Sequence, residues 1–326
     1  MDAIAGLLDG PRARGAFLLR ASMDPPWSLY IRDEAPLSLV AVVRGEAWFA
    51  PDGAAAVRAG PGDVVIARGP RPYLVADSVQ TPPQAIILPG QRCVTPDGAE
   101  VKVMADLGVR SWGNSRTGAT VMLTGTYEGD GEVSQRLLRA LPALIVLRDG
   151  EWDCPLIPLL AGEIVKDEPG QEAVLDRLLD LLLIAVLRAW FARPDGGAPG
   201  WYRAYGDPVV GPALRLIHHD PGRAWTVASL AAAVNVSRAS LARRFTELVG
   251  EPPMSFLTGW RLALAADLLR EPGATLGAVA SRVGYGSPYA LSAALKRVRG
   301  ISPRQHRTSA GATQYLGAPA SSSPRP

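Results

Sequence analysis

Arginine is the side chain with which this chain has most to work. Arg238, Arg243 and Arg244 stand within seven residues that include no carboxylate. A guanidinium presents five donors in a planar fork that fits phosphate oxygens and the O6/N7 edge of guanine. Other chemistries are thinly provided. All three histidines, His218, His219 and His306, fall in the last third, and the two cysteines, Cys93 and Cys154, are far apart with no CxxC or Cys/His spacing. That pattern writes neither a zinc site nor a disulfide framework. Carboxylates without imidazole favour hard cations over transition metals. No GxSxG turn and no Gly-rich loop ending in Lys-Ser/Thr occurs, so no nucleophile elbow or phosphate loop is expected. No catalytic residue, no metal and no cofactor is therefore expected.

The charge is placed unevenly. A net +3 hides residues 1–208, with 20 Lys+Arg against 26 Asp+Glu, and residues 209–308, with 13 against 5. An acidic body with a basic C-terminal third suggests a polyanion partner for that third only. Length and a 48% apolar content predict a folded chain of more than one domain. The longest apolar run, 181–187, is far short of the ~20 residues a membrane helix needs. The first residues lack the basic and apolar regions of a signal peptide. A cytoplasmic protein without a membrane partner is expected.

The arginines belong to a pattern that occurs twice, over 226–245 and 275–295. Thr226 and Thr275 are N-cap candidates for a first short helix, whose buried stripe is Leu230 with Val234, or Val279 with Val283. Asn235 and Gly284 stand where the chain must turn, and both types tolerate positive φ. Ser237 and Ser287 then cap a second helix, with Pro288 at N1, and Leu241 with Phe245, or Leu291 with Leu295, point it inward. Two short helices joined by a tight turn describe a helix-turn-helix, whose second helix can enter the major groove of double-stranded DNA.

This segment resembles the DNA-binding domain of the AraC/XylS family of bacterial transcription regulators. The resemblance includes the connecting stretch Pro253-Met254-Ser255-Phe256-Leu257-Thr258-Gly259-Trp260-Arg261-Leu262 and the closing Gly300-Ile301-Ser302-Pro303-Arg304-Gln305-His306-Arg307. It implies two reading units on one long helix, set in successive major grooves roughly 34 Å apart at a promoter or operator. A homodimer is expected because paired operators need paired readers and the Leu-rich stretch Val174–Trp190 offers apolar surface for one, with RNA polymerase as a further partner. The first reading helix offers Ser237, Arg238, Ala239, Ser240, Ala242, Arg243 and Arg244. Arg243 is the expected base reader, with Arg238 and Arg244 on phosphates. The second offers Ser287, Tyr289 and Ser292, with Lys296, Arg297, Arg299 and Arg304 for the backbone. Aligning the copies puts Ala293 and Ala294 where the first has Arg243 and Arg244. The second unit should therefore discriminate little.

Ahead of this part, residues 15–128 alternate short apolar stretches with turns such as Pro51-Asp52-Gly53 and Gly60-Pro61-Gly62-Asp63, the texture of a β-barrel or sandwich. The stretches Val42-Val43-Arg44-Gly45-Glu46-Ala47-Trp48-Phe49 and Ala59-Gly60-Pro61-Gly62-Asp63-Val64-Val65 resemble the cupin-type sensor domain of one AraC-like subgroup. Helical spacing predicts two helices next, one along Leu137, Leu138, Leu141, Leu144 and Leu147 and one along Leu175, Leu178, Leu179, Leu182, Val186 and Trp190. The expectation is an α+β multidomain chain. A cupin-like barrel spans 1–133, a helical dimerisation region 134–193, a breaker-rich linker 194–208, the DNA-binding domain 209–308 and a disordered tail 309–326. A small-molecule effector in the barrel would meet Tyr30, Trp48 and Tyr73, with Trp27 nearby. The alternatives are a DNA-tethered cupin enzyme and a redox sensor using Cys93 or Cys154.

Overall fold

β-Branched and alternating apolar runs form thirteen strands among the residues described by the computed structural model, which are 17–99, 101–127, 138–193, 197–271, 273–300, 302, 303 and 305. They assemble into two sheets. One has the order β10 (Ala105–Gly108), β11 (Ser111–Gly113), β1 (Phe17–Met23), β12 (Thr120–Tyr127), β3 (Leu37–Arg44), β6 (Val64–Arg68) and β13 (Leu144–Leu147). The other runs β5 (Val57–Ala59), β4 (Ala47–Pro51), β7 (Tyr73–Ala76), β2 (Ser28–Ile31), β8 (Ala85–Leu88) and β9 (Arg92–Val94). Pairing is antiparallel except β1 with β11 and β2 with β8. Met23, Trp27, Val42 and Phe49, all fully buried, fill the space between the sheets.

Two segments depart from the sequence expectation. The helical spacing through Leu138, Leu141, Leu144 and Leu147 does not end in a helix. Leu144–Leu147 is a strand, with Leu144 opposite Ala67 and Leu147 opposite Val64. A short apolar run fits either period, and here β-branched Ile145 and Val146 face an available sheet edge. The sheet thus continues past residue 133, the expected limit of the barrel. Leu137 lies outside the described residues. The expected linker is the second departure. Its residues 194–196 lie outside the description, but Gly200–Arg203 is helical (α3 below), and a 3₁₀ turn follows at Ala204–Gly206. Trp201, Ala204 and Tyr205 join the C-terminal core, because the breakers end at Gly200 and an aromatic-rich stretch follows.

Helices α1 (Leu156–Glu163) and α2 (Gln171–Ala192) follow β13. Helix α2 lies where expected and buries Leu175, Leu179, Leu182 and Val186. Gly125 of β12 permits its close approach, since a Cβ there would sit 2.5 Å from Leu179 Cδ1. The Tyr127 hydroxyl donates to the Leu179 carbonyl at 3.0 Å.

The C-terminal unit begins at Ala198. It contains α3 (Gly200–Arg203), α4 (Val210–His219), α5 (Val227–Ala233), α6 (Arg238–Val249), α7 (Pro253–Leu268), α8 (Leu276–Arg282) and α9 (Pro288–Arg299). Helix α7 serves two cores, giving Phe256, Leu257 and Trp260 to one and Leu262 and Ala265 to the other. The tail, 309–326, lies outside the described residues.

Candidate nucleic-acid interface

Each reading helix is built by local rules legible in its residues. Thr226 Oγ1 accepts from the Ser229 N–H at 3.0 Å and Ser229 Oγ accepts from the Thr226 N–H at 2.9 Å, a reciprocal capping box. Thr275 caps α8 through the Ala278 N–H. Asn235 at φ 57 and Gly284 at φ 81 make the two turns. Ser237 and Ser287 then accept from the Ser240 and Ala290 N–H groups, each at 3.2 Å, starting α6 and α9. Their oxygens hold the caps, and the hydroxyl hydrogens remain as donors. Leu241 and Phe245 bury α6, with the Phe245 and Phe256 ring centroids 5.7 Å apart; Leu291, Ala294 and Leu295 bury α9.

Helix α7 also ties the loops. Arg261 donates from Nε to the Pro221 carbonyl and from Nη2 to the Arg223 carbonyl, both at 2.7 Å, and burial pulls its pKa down. His218 is buried, with its Nδ1 2.5 Å from the Tyr205 hydroxyl and its ring edge-on to Phe256 and Trp260. That is a packing role.

The remaining surface of α6 carries the expected residues. Arg238 and Ala239 are exposed, and Ser240 and Ala242 half-buried. The Arg243 side chain is 71% exposed and reaches along its own helix, Nη1 lying 3.0 Å from Glu247 Oε1. Arg244 differs. Its Nε donates to both carboxylate oxygens of Asp207, at 3.0 and 2.9 Å, and its Nη2 to Oδ2 at 2.7 Å. Asp207 also accepts from the Val209 and Val210 N–H groups at the start of α4. The Arg244 hydrogen bonds, with those of the backbone, lower its pKa to about 2. Arg244, expected on phosphates, meets a carboxylate 37 residues away in sequence whose two oxygens match its fork.

On α9, Tyr289 is 87% exposed, Lys296 and Arg297 are exposed, and Ser292 is half-buried. Ala293 faces outward, whereas Ala294, the counterpart of Arg244, is buried. The Arg299 side chain and Arg304 lie outside the described residues.

A cavity of about 160 Å³ lies between the two sheets of the other unit. Of the aromatics expected there, Tyr73 lines it. Tyr30 and Trp48 do not: Tyr30 alternates with Leu29 and Ile31, which do line it, and donates instead to Asp52 at 2.7 Å. Trp48 likewise sits between buried Ala47 and Phe49. Period-two alternation turns both outward, and Trp27 is wholly buried. Sequence reading missed Asp33, Trp112 and Met122 in the wall; the period-two register with Leu29 and Ile31 was the available signal for the apolar positions. Cys93 also lines it, and burial raises the pKa of this thiol and of Cys154. Among the described residues no group of His, Cys, Asp or Glu could hold a metal ion, and no helix is long and apolar enough to cross a membrane.

Two family descriptions match the chain: cupin over residues 2–192 and helix-turn-helix domain over residues 230–309. A putative AraC-like transcription regulator of Streptomyces antibioticus is 32% identical over 289 residues, covering 86% of this chain and 90% of the relative. Another from Streptomyces lividans is 34% identical over 288 residues, covering 85% and 89%. Among solved structures, the DNA-binding domain of AdpA in complex with a target DNA is 31% identical, matching 34% of this chain and all of that one at a TM-score of 0.32. These relatives are regulators and not enzymes. The chain belongs to the AraC-like transcription regulators, a DNA-binding protein with a cupin domain ahead of its helix-turn-helix domain.

Proposed function

We propose that α6 reads sequence through Arg243 while α9 grips the duplex mainly through its backbone. The observation that carries this is the contrast between the helices: an exposed arginine at 243 against an exposed alanine at 293. Arg238, Lys296 and Arg297 supply phosphate contacts that fix register, helped by the hydroxyls of Ser237, Ser240 and Ser287. Ala239 and Ala242 leave room for close approach of α6, and Tyr289 with Ser292 offers the modest readout left to α9. Arg244 holds the unit together.

The protein acts in the cytoplasm as a homodimer on paired operator sites, in reach of RNA polymerase, with an effector in the body's cavity. Exposed Val174 and Leu181 on α2 support the dimer reading, and the 160 Å³ cavity supports the effector reading. The domains are then a body through Arg193 and a DNA-binding part from Ala198.

Binding-site selection on the full chain, with Arg243→Ala beside it, tests the central reading. The wild type should show sharp preference in one half-region only. The variant should lose about 1–3 kcal/mol of discrimination there and keep salt-sensitive nonspecific binding. Equal sharpness in both half-regions, or unchanged specificity in the variant, defeats the proposal.

A further inference from the structure

The wall of the cavity between the sheets changes character along its length. At one end, Ala21 stands opposite Met122 on one side and Trp112 on the other, and Leu29 faces Val75 across its pair. All five line the cavity, and that end is apolar. Further along β12, Thr126 stands opposite Ser38, and further along β2, Ile31 stands opposite Tyr73. The Ser38 hydroxyl lies against the Tyr73 phenol of the facing sheet, which sets these residues at one common end.

That end holds an unused hydroxyl. Thr126 is only 2% exposed and shares a strand face with Met122 and Thr124, which line the cavity with it. Among the described residues its side chain has no hydrogen-bond partner. A hydroxyl taken out of water without a partner is costly, and an occupant with a polar head removes that cost. Gln91 lines the same end, just past the segment of β8 in which Ile87 pairs with Ile31, and its amide likewise has no partner among the described residues. Asp33, which follows β2 there, is engaged within the protein, its Oδ1 accepting from the Ala35 N–H at 3.1 Å. No Lys, Arg or His lines the cavity among the described residues. Size bounds the occupant, since a dry apolar cavity of about 150 Å³ accepts a benzene ring.

We propose that this cavity binds a small uncharged alcohol, one ring or about six carbons in size, with its hydroxyl on Thr126 and its apolar body against Leu29, Trp112 and Met122. A threonine hydroxyl both donates and accepts, so it pairs with a ligand hydroxyl in either sense, and the Gln91 amide offers a second bond. An organic anion finds no cation in the wall, and an ammonium finds Asp33 already engaged. Each would bring a charge uncompensated into a mostly apolar space. The inference rests on the effector reading of the body given above and names the chemical class of that effector.

Calorimetric titration of the full chain with benzyl alcohol, toluene, benzoate and benzylamine tests it, with Thr126→Val and Thr126→Ser alongside. Benzyl alcohol should bind about three- to tenfold tighter than toluene, as one or two neutral hydrogen bonds allow. The two ions should bind about tenfold or more weakly than the alcohol. Thr126→Val, which keeps the β-branched shape, should lose most of the preference for the alcohol and keep toluene binding, which also shows that the variant is folded. Thr126→Ser keeps a hydroxyl and should keep the preference. In methyl spectra of the wild type, benzyl alcohol should shift Met122, which lines the cavity. Equal affinity for toluene and benzyl alcohol, either ion binding as tightly as the alcohol, an unmoved Met122, or an unchanged preference in Thr126→Val overturns the proposal. Benzyl alcohol that binds at Met122 without altering affinity for the protein's own upstream DNA supports the site and overturns the effector reading alone.

Discussion

Arg244 and Asp207 join α6 to the turn that precedes α4 within the C-terminal unit, through three hydrogen bonds of 2.7 to 3.0 Å. The same carboxylate accepts the Val209 and Val210 N–H groups, so one side chain starts α4 and orients α6. Bidentate pairing makes this a geometric constraint as well as an electrostatic one. An arginine of α6 is thereby held by the fold.

The pair makes stability depend on pH. Asp207 titrates at about 2 in the folded protein against an ordinary 3.8. Its contribution is therefore full above about pH 4 and is lost as pH falls toward 2. Because the Arg244 side chain is 43% exposed, solvent screening leaves roughly 1 kcal/mol. Urea unfolding of wild type and Asp207→Asn should differ by about that amount at pH 5 and converge near pH 2. A constant gap across this range would mean that the charge of Asp207 contributes nothing.

On the proposed reading, Glu247 competes with DNA for Arg243. An exposed i, i+4 pair is worth only ~0.3–0.5 kcal/mol, so Arg243 is easily released, but on that reading Glu247 also puts a negative charge near the phosphates. Glu247→Gln should tighten operator binding about two- to threefold at low salt, with less gain at high salt. Titrations at two salt concentrations measure this. A weaker variant would place Arg243 away from the duplex.

What was legible in the sequence was what neighbouring residues decide. Thr226, Ser237, Thr275 and Ser287 announce helix starts because a cap bond spans three residues, and Asn235 and Gly284 announce turns because positive φ is a property of one residue. The partner of Arg244 was not legible, since Asp207 reaches it only through the tertiary fold. Nor were Leu144–Leu147, where an open edge of β6 outweighed helical spacing, or the outward turn of Tyr30 and Trp48, which one step of strand register decides.

Gly284 should tolerate no side chain. Its φ is +81, and a Cβ would lie 2.4 Å from the Gly222 carbonyl oxygen and 2.7 Å from Arg261 Nη2. The backbone contact cannot yield without moving the loop that Arg261 holds. Gly284→Ala should cost roughly 2–3 kcal/mol, read as a lower midpoint in thermal unfolding. Asn235→Gly, at a turn that already accepts a side chain, should change stability by less than about 1 kcal/mol.

The division of labour between the helices can be tested by gain as well as loss. Ala293 is exposed and Ala294 is 4% exposed, packed with Val279 and Val283. Ala293→Arg places a guanidinium where α6 has Arg243, and it should fold normally, tighten binding and add a guanine preference worth ~1–3 kcal/mol in the second half-region. Ala294→Arg forces a charge into an apolar core, and should cost roughly 3 kcal/mol or more in stability. At the equivalent place in the first unit, Asp207 receives the half-exposed Arg244. If Ala293→Arg folds but its selected sites stay unchanged in that half-region, α9 does not present position 293 to base edges, and the backbone-gripping role assigned to it must rest on a different orientation.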